Sequence, residues 1–314
     1  MLFRSDGRMF PRSDSSQTVV DCLMTAAREY GVRLVANCGV TKASRHASGG
    51  FRVTLANGEE LECGRLLLAL GGCRTAAAGD LAIMLGHTLA PPVPSLFAFQ
   101  VAQPALNQLA GIAVEDVEVS VAEARLKGRG PLLVTHTGLS GPAILRLSAW
   151  GARALHELDY RFRLQINWLP QYSLDALAAE IRARRAEQAA RLVSATPLKP
   201  LPARLWNHLI GAAGLDEGRR WAEASRTDQH RLVQQLVRTE LPVTGKSLNK
   251  EEFVTCGGVR LNEVDFKTME SRIAPGLHFA GELLDIDGLT GGFNFQAAWT
   301  TGWIAGQALA KPDG

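Results

Sequence analysis

Residues 277–302 read LHFAGELLDIDGLTGGFNFQAAWTTG: a short apolar run, an acidic turn, then a helical pattern opened by two glycines. Leu277, His278, Phe279 and Ala280 stand between Gly276 and Gly281, and an apolar run of that length bounded by glycines reads as a buried parallel strand. From Phe293 onward Ala298, Gly302 and Gly306 recur every fourth residue, a smooth stripe that lets another backbone come close. Strand, acidic glycine-containing turn and a helix begun by Gly291 and Gly292 would aim bare amides and the positive helix end at one place. An anionic or electron-rich ligand suits such a place.

Glu282, Asp285 and Asp287 sharpen that expectation. They are acceptors just past the strand end, where open α/β sheets bind ligands and where the hydroxyls of a ribose or ribityl chain need partners. A nucleotide cofactor is expected. A calcium loop is not: counted from Asp285, its sixth place is Thr290 and its twelfth Gln296, where the loop needs Gly and Glu.

The rest of the chain sets limits. Its 314 residues suffice for two or three domains. Lys and Arg total 34 against 31 for Asp and Glu, a net +3, with no dense basic block interleaved with aromatics, so small-molecule partners are expected and nucleic acid is not. The five cysteines are scattered without a C-x-x-C pair, which argues against a zinc site, a disulfide framework or a redox dithiol. The first residues, MLFRSDGR, turn charged early and no apolar run reaches membrane-spanning length, so no signal peptide or membrane anchor is expected and a cytoplasmic location is.

In chain order, residues 7–14 form a turn-rich loop and Ser15 or Ser16 can cap a helix whose apolar face is Val19, Val20, Leu23, Met24 and Ala27. A strand is expected at 32–36, then an antiparallel meander at 39–44, 50–56 and 60–63 punctuated by Gly49-Gly50 and Asn57-Gly58. Arg65 to Leu70 reads as another buried parallel strand, ending in Gly71-Gly72, where a cofactor could approach closely. Pro91-Pro92-Val93-Pro94 reads as a stiff linker, alternation after Ser95 as a small antiparallel β domain, and residues 173–238 as a helical insertion whose Arg and Glu form a solvated face. Ser140 and His136 raise the thought of a hydrolase, but Pro142 replaces the glycine a nucleophile elbow needs, and Ser140 or Gly141 serves more simply as a helix cap. The expected division is 1–91 and 257–314 as a split α/β domain, 92–170 with 242–256 as the β domain, and 171–241 as the helical insertion.

Taken together, Gly7 to Asp14, Leu68-Ala69-Leu70-Gly71-Gly72, Pro92 to Leu96, Thr135 to Pro142, Val254 to Val259, Thr268 to Ser271, Gly281 to Asp285 and Gly291 to Trp299 resemble, in order, the BaiN-type (YhiN-like) FAD-dependent oxidoreductases. The resemblance implies a split glutathione-reductase-like FAD-binding domain and hydride transfer through the flavin N5, with NAD(P)H as the expected donor. It implies cofactor contacts at Gly71, Gly72, Gly281, Glu282, Asp285, Gly291, Gly292, Phe293, Asn294 and Phe295. Gly281-Glu282 would meet the ribityl or pyrophosphate part, Gly71-Gly72 the adenosine half, and the start of the last helix the N1–C2=O edge. No catalytic acid or base is singled out.

One departure stands out. The family opens with a strand, a G-x-G-x-x-G loop and a helix that hold the pyrophosphate, and this sequence starts after them. Two hypotheses follow: the larger part of an FAD-dependent oxidoreductase shortened at its N-terminus, or a non-catalytic flavoprotein remnant acting as a binding module.

Overall fold

In the computed structural model, which describes residues 2–3, 9–73, 76–247 and 254–311, strand Leu277–Phe279 pairs in parallel with Leu66–Leu68, His278 opposite Leu67. Leu277 and Phe279 are fully buried. On the other side lies Glu270–Ser271, and beyond it Val264–Asp265, both antiparallel. Among the described residues this sheet holds a single parallel pair, so the two strands expected to be parallel stand in a mixed sheet. The connection from Ser271 to Leu277 is a few residues long, and only a crossover of a dozen or more can return a strand parallel to its neighbour.

These strands belong to one of two compact units, Met1–Pro92 with Gly257–Gly314; the other is Val93–Cys256. The first unit also contains the expected meander, Val40–Arg45, Phe51–Leu55 and Glu60–Cys63, antiparallel throughout. Helix Ser16–Glu29 is capped by the Ser15 hydroxyl, which accepts from the Gln17 amide, yet no residue of that helix is buried. Residues 32–36 form no strand. Val32, Leu34 and Val35 are more than half exposed, and β-branched composition makes no strand without a neighbouring ladder to join. The prolines expected as a linker lie instead within strand Leu89–Ser95. Residues 7–8 of the quoted loop and 248–253 of the return segment lie outside the described residues.

The second unit is built on a closed antiparallel barrel in which Leu126–Val134, Gly138–Ser140, Phe99–Val101, Thr239–Lys246, Phe162–Asn167 and Ala113–Val121 follow one another around the ring. Closure leaves no edge to aggregate. The alternation at 113–121 sends Val117, Val119 and Val121 inward. Helices Leu174–Glu187, Ala203–Ala212 and Arg226–Val237 share one continuous core with this barrel. Three fully buried tryptophans anchor it, each with a satisfied indole: Trp168 donates to Thr239 Oγ1 (2.7 Å), Trp206 to the Val193 carbonyl (2.8 Å) and Trp221 to Thr196 Oγ1 (2.9 Å).

Candidate functional site

Strands Leu66–Leu68 and Leu277–Phe279 run the same way, so the segments that leave them, Gly71-Gly72 and Gly281-Glu282, emerge at one edge of the pair, the C-terminal edge where α/β sheets bind ligands. The Ala280 amide still bonds the Leu68 carbonyl (3.1 Å). Gly71 is then exposed with φ +74°, and a Cβ placed on it would meet nothing within 4 Å, while Gly72 is half-buried. The strand leading there is shorter and wetter than expected: Leu66 and Leu67 are half-buried and Leu70 exposed. Gly281, with φ +73°, opens a 3-10 turn to Leu283; Glu282 and Asp285 are half-buried on that turn and just beyond it.

Two contacts hold the turn. The Gly281 amide donates to Thr301 Oγ1 (2.9 Å), and the Asp285 amide donates to the Val259 carbonyl (3.0 Å). The second depends on close backbone approach, since a Cβ on Gly258, at φ +143°, would lie 2.4 Å from the Leu283 carbonyl oxygen. Gly257 is equally confined against Pro91 O at 2.5 Å. Gly257-Gly258 lies in the Val254–Val259 span that carries the family resemblance; Thr301 has no signal in the sequence.

Gly291 and Gly292, both exposed at positive φ, lead into helix Phe293–Leu309, with Gly292 as the N-cap in the left-handed region. The amides of Phe293, Asn294 and Phe295 have no hydrogen-bond acceptor among the described residues, as expected for an uncapped first turn. Phe293 and Phe295 are exposed. Asn294 turns back: its Oδ1 accepts from the Gly288 amide (2.7 Å) and its Nδ2 donates to the Gly288 carbonyl (3.2 Å), clamping the turn before the helix. The donor set thus fits an anionic or electron-rich ring edge. Among the described residues no G-x-G-x-x-G loop stands between a strand and a helix.

A buried cluster in the same unit could be mistaken for a hydrolytic triad. His87 Nδ1 meets Glu263 (2.9 Å) and its Nε2 meets Ser271 Oγ (2.8 Å). Burial pushes His87 below its ordinary pKa, outweighing the pull of Glu263 in the other direction. Burial opposes the Glu263 carboxylate too, but the Thr88 hydroxyl and amide and His87 together hold it below its usual range. Ser271 Oγ also accepts from the amides of Ile273 (3.0 Å) and Ala274 (2.7 Å), and the His87 side chain is wholly enclosed. This cluster is a lock on the loop. Ser140 lies in a barrel strand, Gly141 caps the following helix, and His136 is exposed without a bond to Ser140. No group of three His, Cys, Asp or Glu among the described residues is placed to hold a metal, and none of the five cysteines is in a disulfide.

The family described as HI0933-like protein Rossmann domain matches residues 1–308. The chain belongs to this family. Among curated proteins it is 29% identical to the 3-dehydro-bile acid delta(4,6)-reductase of Clostridium scindens, over 97% of the chain and 76% of that relative. It is 31% identical to the ribosomal RNA dihydrouridine synthase of Escherichia coli (94% of the chain, 72% of the relative) and 26% identical to that of Haemophilus influenzae (95% and 74%). As an HI0933-like protein with a named reductase among its relatives, the chain reads as an oxidoreductase of a family that points to a flavin cofactor.

These relatives correct one expectation. Nucleic acid was set aside on the balance of charge, yet two of these relatives are named for ribosomal RNA. A whole-chain charge of +3 averages over local fields, and it is local surface that meets a polyanion. No helix among the described residues is long and apolar enough to cross a membrane.

Proposed function

We propose that this chain is a cytoplasmic FAD-dependent reductase that saturates a carbon–carbon double bond conjugated to a carbonyl, in a uridine of ribosomal RNA, with NAD(P)H as reductant. The reductase and the two synthases share that chemistry by name, since a Δ4,6 bond of a 3-dehydro bile acid and the ring double bond of uridine both become saturated. A hydride adds to one carbon and a proton to its neighbour. FAD, when bound, supplies the hydride at its N5.

The observation that carries the reading is the open start of helix Phe293–Leu309, a helix whose middle is tied through Thr301 to the turn at the C-terminal edge of the parallel pair. The free amides of Phe293, Asn294 and Phe295, with the helix dipole behind them, favour negative charge placed before them by about 0.3–2 kcal/mol, more where water is excluded. Gly281-Glu282 and Asp285 offer acceptors to the hydroxyls of a sugar chain, and open Gly71-Gly72 leaves room for backbone contact. Exposed Phe293 and Phe295 supply apolar faces beside the ring.

FAD titration of the purified chain, followed by flavin absorbance, tests the first half. A chain that never takes up FAD sinks the reading and favours the non-catalytic module. Incubation of the loaded protein with NADPH and unmodified ribosomal RNA, with dihydrouridine read by mass spectrometry, tests the second; flavin uptake with unaltered RNA removes the RNA substrate.

A further inference from the structure

We infer that the helical part of the second unit carries a phosphate-binding groove for the RNA backbone, centred on Arg182 and Arg226. This rests on the RNA reading above and adds to it a place of contact outside the flavin site. Leu174, Asp175, Ala178 and Arg182 from one helix face Arg226, Gln229, His230, Val233 and Gln234 from another across an open groove of about 400 Å³. The two helices run antiparallel, because the Trp168 amide bonds the Leu236 carbonyl near one end and the Arg185 guanidinium donates to the Ala222 carbonyl near the other. Arg182 and Arg226 therefore share an end, with His230 one turn along.

Charge favours this segment as a whole. Between residues 173 and 238 there are 11 Lys and Arg against 7 Asp and Glu, so this segment alone is more positive than the chain's net +3. Of the seven acids, Glu180 pairs with Arg184, Asp216 with Arg219 and Asp228 with Arg231, while Glu223 accepts from the Arg220 amide. Arg182 and Arg226 are exposed and form no ion pair or hydrogen bond among the described residues. Asp175, the one acid in the lining, is seven residues from Arg182 on its helix, about 10 Å along the axis. Two unpaired guanidiniums and an imidazole converging on a groove suit phosphate oxygens, which Arg meets with paired donors. The charges of this segment thus do more than solvate a helix face.

The test is the affinity of the full chain for a fluorescein-labelled RNA hairpin, read by anisotropy across a salt series without turnover. The double variant Arg182→Gln/Arg226→Gln is expected to bind about tenfold or more weakly at fixed salt and to lower the slope of log K against log salt by roughly 1–2. Arg219→Gln, which removes an arginine already paired with Asp216, should change affinity less than about twofold. Thermal melts of all three proteins check that the fold persists. If the wild-type chain binds the hairpin and the double variant binds as tightly with the same slope, the groove is not the contact and the RNA reading survives. If the wild-type chain does not bind, the RNA reading falls and the groove with it.

Discussion

Thr301 Oγ1 accepts the Gly281 amide at 2.9 Å, tying the turn that leaves the buried strand to the middle of the terminal helix. The same hydroxyl donates to the Ala297 carbonyl (2.7 Å), so its proton is used within the helix and its lone pair is free for the turn. Terminal helix and acidic turn are held in register by one side chain.

Thr301→Val keeps the shape and removes the acceptor. The Gly281 amide is then left without its partner in a site where Thr301 is buried, at a cost of about 1–3 kcal/mol. Urea unfolding should show that loss together with weaker FAD retention, and Thr301→Ser should recover most of both. Equal behaviour of Val and Ser would mean that packing, not the hydrogen bond, holds the turn.

Gly258→Ala and Gly302→Ala should have opposite signs. At 258 the new Cβ would sit 2.4 Å from the Leu283 carbonyl oxygen at φ +143°, so the turn must move, costing about 1–3 kcal/mol and displacing Glu282 and Asp285. At 302, inside the helix, nothing lies within 4 Å and alanine should stabilise by roughly 0.5–1 kcal/mol. Melting temperatures decide it, and a destabilising Gly302→Ala would show that the stripe is covered in solution.

The His87 lock makes the first unit sensitive to acid. His87 is held below its ordinary value near 6.5, so the unfolded chain takes up its proton first and stability is fully present above about pH 6.5 and lost as pH falls beneath it. Glu263, also lowered, contributes stability above its unfolded pKa that is lost further down in acid. Both act in one direction. His87→Gln should melt lower at pH 7 yet lose less between pH 7 and 5.5 than the wild type; parallel curves for the two would show that another group titrates there.

Legibility in the sequence followed the range of the interaction. Leu277–Phe279 and the terminal helix could be read because an apolar run between glycines and a fourfold recurrence are local patterns, and the meander because Asn57-Gly58 specifies its own turn. Residues 32–36 misled, since their composition suits a strand but strand formation depends on a neighbour that composition does not reveal. Thr301 meets Gly281 across twenty residues, and Arg182 and Arg226 line one groove only because two helices run antiparallel. Asn294 was legible as a residue at the helix start; that its side chain turns back onto Gly288 was not, because both directions satisfy an amide.

That turned-back side chain gives the sharpest test of what faces the helix start. Asn294→Asp keeps the acceptor for the Gly288 amide, gives up the donor to the Gly288 carbonyl, and adds a negative charge within the first turn. The helix itself gains from that charge. A flavin ring placed against the same amides gains negative charge on reduction and would be opposed by it, so the midpoint potential of bound FAD should fall by about 10–40 mV, the equivalent of roughly 0.3–2 kcal/mol for two electrons. Asn294→Ala, which breaks the clamp without adding charge, should weaken FAD binding and leave the potential of the bound fraction close to wild type. An unchanged or raised potential in Asn294→Asp, with binding intact, would place the flavin away from the amides of Phe293, Asn294 and Phe295.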